Sequence, residues 1–127
     1  MKIKNIILVI FAITIACLVL GAGLLWNKHF RTPVTHNTYT ILLKKGGFVP
    51  RETYIKNGDT VVFKTDRGFP FWPASDKHPS HSIYPDFDPK MPIQSDETWE
   101  FAFNKSGTWS YHDHLNSTLR GIIHVTN

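Results

Sequence analysis

The hydrophobic pattern divides the chain into an apolar N-terminal run and a region where apolar and polar positions alternate. Residues 6–26, "IILVIFAITIACLVLGAGLLW", contain no charged side chain. As a helix, at about 1.5 Å per residue, this run is about 31 Å long, close to the thickness of a bilayer's hydrocarbon core. The pattern therefore predicts one transmembrane helix at the N-terminus.

A cleavable signal peptide is the alternative interpretation of the same run. Its apolar region would be shorter, about 7–15 residues, and would end in a small-x-small site. Small residues stand at 21–23, but the apolar run continues through 24–26. We therefore favour an uncleaved anchor over residues 1–27, followed by a polar, proline-containing linker over residues 28–37.

The charges flanking the run give little information on orientation. Lys2 and Lys4 precede it and Lys28 and Arg31 follow it, so the positive-inside comparison is nearly balanced. A signal-like start normally delivers the sequence that follows it. We therefore predict a membrane-anchored protein with its domain on the extracytoplasmic side, periplasmic or extracellular.

From residue 38 onward the pattern is that of short β-strands. "TYTILLKKGG" is rich in β-branched residues, "ETYIKNGDTVVFKT" gives two strands around the turn signal "NGD", and "GIIHVT" gives a closing strand. In "ETWEFAFNKSGTWSYH", Trp99, Phe101 and Phe103 fall on one face. About seven short strands without helical periodicity predict an all-β sandwich over residues 38–127.

A proline-rich segment interrupts the strand spacing at residues 66–93. It contains six prolines, and such a long connection in a compact domain is usually functional or disordered. Its aromatic content favours a packed segment. The aromatic residues are Phe69, Phe71, Trp72, Tyr84 and Phe87.

Charge and cysteine content argue against nucleic-acid binding and against a disulfide or thiolate ligand in the domain. The formal net charge is +4, but ten Lys or Arg balance ten Asp or Glu from residue 38 onward. A neutral domain does not support a nucleic-acid footprint, and we predict no nucleic-acid partner. The single cysteine, Cys17, lies in the apolar run, so the domain has neither a disulfide nor a thiolate ligand.

Four of the seven histidines occur in two pairs, "HPSH" at 78–81 and "HDH" at 112–114. In an extended segment residues i and i+2 share a face, so His112 and His114 begin a metal site. His78 and His81 are the other place that supplies ligands. Imidazole-rich sites suit Cu(II), Zn(II) or Ni(II), and copper binds most tightly.

The alternative is that both pairs are exposed loop histidines that bind nothing, but two pairs in one domain favour a metal site. We predict that His29 and His36 are solvated and that His124, in the last strand, is a structural or surface residue. Asp86 and Asp88 are only a weak indication of a hard-cation site. For Phe71, Trp72 and Pro73 we favour ordinary packing over an apolar wall above the metal.

Two segments of the domain resemble the cupredoxin family. "GGFVPRETYIKNGDTVVFKT" is similar to its first half, with Phe-x-Pro and Gly-Asp-x-Val-x-Phe, and "GTWSYHDHLNSTLRGIIHV" is similar to its end. The resemblance covers residues 38–127. It implies a cupredoxin-like Greek-key β-sandwich, here preceded by one transmembrane helix.

The resemblance also implies a ligand set. "HPSH" is similar to the first ligand motif of multicopper oxidases, while His81-Ser82-Ile83 is similar to the first ligand segment of small blue proteins, so His78 and His81 both remain candidates. "HDH" is similar to the His-Cys-His motif, which places Asp113 where the blue-copper cysteine stands. Thr118 falls near the position of the family's next histidine. Leu119 is the nearest apolar residue to the position of its methionine.

Without the thiolate, the resemblance implies a nitrogen and oxygen site rather than a blue one. We expect one Cu(II) ion, with zinc less favoured, held by His78, His81, His112 and His114. Asp113 is then a further ligand, an acceptor for an imidazole N–H, or the cap of a turn.

We expect a role in copper handling or slow electron transfer, with the metal ion and the membrane at residues 6–26 as partners, and we favour a protein that is not an enzyme. The alternatives are a copper-dependent oxidoreductase acting on a small oxygen or nitrogen species, and a zinc-bound or metal-free interaction domain.

Overall fold

The computed structural model describes residues 2–29 and 33–127, with side chains described at 2–22 and 33–127. The chain forms two compact units, which divide between Thr35 and His36. Arg31, counted above among the flanking charges, and the side chain of His29 lie outside the described residues. The division into anchor, linker and domain stays a prediction.

The N-terminal unit is a single helix, α1 (Ile3–His29). Its part from Ile3 to Ala22 is long and apolar enough to cross a membrane. Large aliphatic side chains are exposed on all its sides. A helix that is apolar all round has no polar face to turn to water, so α1 has the length and composition of a membrane span or of a signal sequence.

The second unit is built from eight strands. They are β1 (Thr38–Lys44), β2 (Gly47–Val49), β3 (Glu52–Lys56), β4 (Thr60–Thr65), β5 (Pro73–Ser75), β6 (Trp99–Ala102), β7 (Gly107–Asp113) and β8 (Asn116–Thr126).

The strands form two mixed four-stranded sheets, in the orders β2-β1-β4-β6 and β3-β8-β7-β5. Strands β1 and β4 pair in parallel, as do β3 and β8, and the remaining pairs are antiparallel. Alternate side chains of β3 and β4 are buried, because each sheet turns one face inward. The predicted all-β sandwich is confirmed.

Aromatic side chains fill the space between the two sheets. The ring of Phe63 from the first sheet lies 5.5 Å from the ring of Tyr111 in the second, edge to face. Phe87 lies 5.5 Å from both rings. Such contacts stabilise the core beyond simple burial. The core also includes Ile41, Leu43, Phe48, Val61, Phe103 and Ile123.

The structure has eight strands where the pattern predicts about seven. The sequence pattern marks neither β2, which follows Gly46, nor β5, which lies inside the proline-rich segment. Pro73 begins β5, which lies at the edge of its sheet, where a missing N–H is tolerated. Three residues are too few to show alternation, so no sequence signal marked it. The segment itself is packed, as predicted: Phe71, Tyr84 and Phe87 are buried, although Phe69 is exposed.

The two strands around the "NGD" turn form as predicted but belong to different sheets, so no hairpin results. Gly58 has a φ of 91°, a left-handed conformation that glycine adopts without strain. The buried carboxylate of Asp59 accepts hydrogen bonds from the backbone N–H groups of Asn37 and Lys56, at 2.7 and 2.8 Å. This turn carries the chain from one sheet to the other.

The outer strands of both sheets are short. Strands β2 and β5 have three residues each and β6 has four. The remaining edge strand, β3, has five residues and carries Glu52 and Lys56 among its exposed positions.

Candidate metal centre

Four imidazoles meet beside the second sheet. One ring nitrogen from each of His78, His81, His112 and His114 lies within 4.8 Å of the other three. His81 and His112 are buried, His114 is partly buried and His78 is exposed. The structure thus brings the two sequence pairs together, with one member open to solvent.

Strand β5 holds the first pair against the second. Ala74 pairs with His112 across β5 and β7, so the chain that leaves β5 begins beside that histidine. The Ser75 hydroxyl lies 2.9 Å from the carbonyl oxygen of His81. His81 has a φ of 49°, a left-handed conformation that is uncommon for a residue with a side chain and often occurs at functional sites.

A register irregularity between His112 and Asp113 shapes the second pair. His112 is still in the β7 ladder, whereas the N–H of His114 donates to the carbonyl of Trp72 at 2.7 Å. Both imidazoles reach the cluster, with ring centroids 6.2 Å apart. The expectation that these two side chains act together agrees with this geometry, although the local backbone is bulged rather than regularly extended.

The spacing of the nitrogens suits a single small ion. His78 Nδ1 lies 3.1 Å from His112 Nε2, and His81 Nε2 lies 2.9 Å from His114 Nδ1. Two imidazole nitrogens bound to one ion at about 2.0–2.1 Å lie about 2.9 Å apart at a right angle and about 3.4 Å apart at the tetrahedral angle. The four nitrogens therefore fit a metal ion.

Two carboxylates fix the orientation of the buried imidazoles. Asp76 Oδ1 lies 2.8 Å from His112 Nδ1, and Asp88 Oδ2 lies 2.6 Å from His81 Nδ1. A carboxylate at one ring nitrogen holds the proton there and leaves the other nitrogen free as a ligand. His81 and His112 therefore present Nε2 to the cluster.

Each carboxylate also contacts a cation at the surface. Arg120 Nη1 donates to Asp76 at 2.9 and 3.0 Å, and Lys90 Nζ donates to Asp88 at 2.9 Å. Burial alone would raise the pKa of Asp88, but hydrogen bonds from His81, Lys90 and Trp72 outweigh it and lower that pKa. The same balance lowers the pKa of Asp76. Both groups are anionic at neutral pH.

The imidazoles of His112 and His114 have lowered pKa values. Burial is the main cause for both, because it disfavours the charged ring. The charges of His81 and His78 lower these pKa values further, while Asp76 opposes the shift at His112. Both rings are therefore neutral at pH 7, the form that binds metal.

Asp113 turns away from the imidazole cluster. Its buried carboxylate accepts hydrogen bonds from Arg67 Nη2 at 3.0 Å and from the N–H groups of Trp72 at 2.9 Å and Leu115 at 3.3 Å. These contacts are those of the turn-capping alternative. Among the described residues, no imidazole N–H donates to it.

Trp72 covers one side of the centre. Its ring centroid lies 4.4 Å from that of His114, and its Nε1 donates to Asp88 Oδ1 at 2.8 Å. Phe71 next to it is fully buried in the core. The expectation of ordinary packing holds for Phe71, which packs in the core, whereas Trp72 packs on the imidazoles.

The remaining predicted positions lie elsewhere. The Thr118 hydroxyl donates to Asn116 at 2.6 Å, and Leu119 packs against the core. His124 stacks on Tyr54 at 4.4 Å, as expected of a surface residue. His36 is exposed.

Sequence reasoning missed three residues that shape the centre, namely Asp76, Asp88 and Arg67. The domain contains ten acidic residues, and no spacing distinguishes two of them as partners of imidazoles. The sequence pairs Asp88 with Asp86 as a weak hard-cation candidate, but in the structure Asp86 pairs with Lys105 at 3.1 Å. Only the paths of the folded loops identify these roles.

Comparison with solved structures places the second unit in a known fold. A purple cupredoxin from Nitrosopumilus maritimus is 20% identical over 69% of this chain and 99% of its own, with a TM-score of 0.61. A reduced amicyanin variant is 19% identical over 70% of this chain and 82% of its own, with a TM-score of 0.60.

A Cu-containing nitrite reductase from Thermus scotoductus is 20% identical over 76% of this chain, with a TM-score of 0.59, and this chain spans 23% of that protein. The sequence matches no protein-family model and no curated protein. The fold and the imidazole cluster define a class: the second unit is a cupredoxin-fold domain. Its four-histidine centre, in a chain whose one cysteine lies in the N-terminal helix, fits a non-blue metal site.

Proposed function

We propose that this chain is a membrane-tethered, extracytoplasmic protein that binds one copper ion through His78, His81, His112 and His114. It uses the ion for copper handling or slow electron transfer. The observation that carries the proposal is the convergence of four imidazole nitrogens within 4.8 Å in a cupredoxin fold.

The donor set favours copper among the divalent ions. Imidazole nitrogens without thiolate suit tetragonal Cu(II), and copper leads the affinity order of first-row divalent metals. The fold neighbours support the same metal, since one of them is a Cu-containing nitrite reductase. Bound copper would supply a one-electron couple, without the intense blue colour that a cysteine thiolate gives.

The protein groups around the ligands perform separate tasks. Asp76 and Asp88 orient two of the imidazoles, Trp72 shields His114 from solvent, and the exposed ring of His78 leaves an open side. This open side admits the ion or a copper-donating partner. This arrangement supports copper handling.

The anchor and its sidedness rest on the sequence. α1 supplies a segment of spanning length, and the proposed orientation puts the domain outside the cytoplasm. Protease treatment of intact cells or spheroplasts tests this placement. Degradation of the domain only after the membrane is opened to the cytoplasmic side would contradict it.

Copper titration tests the metal site. In the full chain purified in detergent, we expect one Cu(II) per chain by calorimetry, with a pale spectrum typical of nitrogen ligation. The double variant His112→Ala with His114→Ala should lose this binding. His124→Ala is the matched control, because that ring stacks on Tyr54 outside the cluster.

Three results would contradict the proposal. These are no stoichiometric Cu(II) binding in the wild-type chain, unchanged binding in the double variant, and an intense thiolate-type blue colour. Elemental analysis of protein purified without added metal would show whether zinc occupies the centre instead.

A further inference from the structure

The two carboxylates behind the imidazoles form a paired arrangement. Asp76 is bonded to His112 on one side of the centre and Asp88 to His81 on the other. Each carboxylate is held by one further cation, Arg120 or Lys90. One imidazole from each sequence pair therefore contacts another imidazole of the cluster through Nε2 and a carboxylate through Nδ1.

In each of these two hydrogen-bonded sets, the carboxylate is less exposed to solvent than the cation that pairs with it. The carboxylate side chains are 15% and 6% exposed, whereas those of Arg120 and Lys90 are 49% and 67% exposed. Water and salt screen the exposed cations strongly and the largely buried anions weakly. The cluster therefore experiences two nearby negative charges that the surface cations offset only in part.

We propose that Asp76 and Asp88 make this centre selective for charge, so that it binds a divalent ion much more tightly than a monovalent one. This inference rests on the copper binding proposed above and specifies which oxidation state the site favours. An imidazole binds a metal ion in its neutral form, so the four ligands supply no charge of their own. Cu(II) compensates the negative charge that the two carboxylates leave at the cluster more fully than Cu(I), which leaves more of it unbalanced at a largely buried site.

The carboxylates also stabilise a particular tautomer. Each accepts the Nδ1–H of its imidazole and directs Nε2 to the cluster, which increases the basicity of the ligating nitrogen. More basic ligand nitrogens beside negative carboxylates again favour Cu(II) over Cu(I). Charge and tautomer are therefore two separable contributions of the same residue.

Substitution by asparagine separates these contributions. In Asp76→Asn and Asp88→Asn the amide oxygen still accepts the Nδ1–H, so the ring orientation is kept while the charge is removed. Asp76→Ala and Asp88→Ala remove both. Glu52→Gln is the matched control, because Glu52 lies 3.4 Å from His124 on a different part of the second sheet.

The experiment measures Cu(II) and Cu(I) affinities separately, by competition with chromophoric chelators, on the full chain in detergent. For each asparagine variant we expect the Cu(II) affinity to fall about 10-fold or more. The Cu(I) affinity should stay within a few-fold, so that the ratio of the two moves toward Cu(I). The glutamine control should leave both affinities unchanged.

Equal losses of Cu(II) and Cu(I) affinity in the asparagine variants would overturn the inference while copper binding stands. A wild-type chain that binds neither ion would overturn the proposed function itself. Nitrogen NMR of the metal-free chain gives a readout that does not need copper. It should show the Nδ1–H tautomer at His81 and His112 in the wild type and in the asparagine variants. If the wild type lacks this tautomer, the structural basis of the inference is wrong.

Circular dichroism identifies variants that fail to fold. If one asparagine variant is unfolded, the other decides the question, because Asp76 and Asp88 act on different imidazoles. A folded variant with an unchanged affinity ratio would contradict charge selectivity.

Discussion

Arg67 and the buried Asp113 form a partly buried ion pair, with Arg67 Nη2 3.0 Å from Asp113 Oδ2, next to the imidazole cluster but directed away from it. The resemblance to cupredoxins places Asp113 at the position of the thiolate ligand. In the structure this residue instead joins the start of the proline-rich segment to the loop that carries His112 and His114. Its role in the structure is to hold the two ligand-bearing segments together.

Loss of this carboxylate should destabilise the fold. Asp113→Ala leaves the Arg67 charge and the Trp72 N–H without their acceptor, and we expect the free energy of unfolding to fall by about 3 kcal/mol. Urea unfolding of the metal-free chain, followed by fluorescence, measures this loss. Asp86→Ala is the control: its ion pair with Lys105 is exposed on both sides and should contribute less than about 1 kcal/mol.

The same variant separates a structural role from a ligand role. If Asp113 is not a ligand, the folded fraction of Asp113→Ala should still bind one Cu(II). Complete loss of copper binding in a variant that remains folded would show that its carboxylate reaches the metal.

Close packing at Gly121 provides a second prediction. A Cβ at this position would meet the ring and hydroxyl of the fully buried Tyr111 on the paired strand. We expect Gly121→Ala to lower the free energy of unfolding by about 1–3 kcal/mol, because the core has no room for the added methyl group.

Gly46→Ala is the matched control for that substitution, since a Cβ there has no neighbour within 4 Å. Thermal unfolding of the two variants in parallel makes the comparison. Equal melting temperatures would contradict the packing described here.

The Asp59 turn should give the domain a pH-dependent stability. Burial alone would raise the pKa of Asp59, but the N–H groups of Asn37 and Lys56 outweigh it and lower that pKa. A lowered folded-state pKa stabilises the fold above the unfolded-state value of about 3.9, and this stabilisation is lost as pH falls through the folded-state value.

Asp59→Asn should therefore be less stable than wild type by about 1–2 kcal/mol at pH 7. The difference should shrink as pH falls below about 4, because the unfolded-state carboxyl takes up a proton there while the folded-state carboxyl does so only at lower pH. Urea unfolding at several pH values tests this, and a difference independent of pH would argue that the charge is unimportant at this turn.

The tryptophan on the cluster offers an optical test. Because Trp72 lies 4.4 Å from His114, a bound Cu(II) ion should quench its fluorescence strongly. Trp72→Phe should remove most of the copper-dependent quenching. Trp109→Phe should retain it, since the Trp109 ring packs on Tyr84 and donates to the Lys105 carbonyl. Equal quenching in both variants would contradict the proposed location of the ion.

Much of the fold could be predicted because the strands carry a local signal. The alternation in β4 and β6 and the turn at Gly58 are set by neighbouring residues, and they predicted the sandwich. Strand β5 could not be predicted, because three residues in a proline-rich stretch show no period. The parallel pairing of β3 with β8 joins distant parts of the chain, and no local pattern encodes it.

The four histidines could be singled out because imidazole pairs at short spacing are uncommon in sequence. Their convergence is a property of the folded loops. The acidic partners show the limit of this approach: Asp76 and Asp88 resemble the domain's other carboxylates in sequence. Asp113 shows the opposite problem, because its neighbours in sequence suggested a ligand while its contacts in space are with Arg67 and the backbone.

The edge strands of the two sheets affect whether copies of the domain aggregate with one another. An unpaired strand edge is a template for addition of another chain, and anchoring in a membrane would raise the local concentration of such edges. Here β2, β5 and β6 offer at most four residues each, and β3 bears charged side chains at Glu52 and Lys56. The domain is therefore protected against edge-to-edge aggregation, and crowding on a membrane surface should leave it folded and separate.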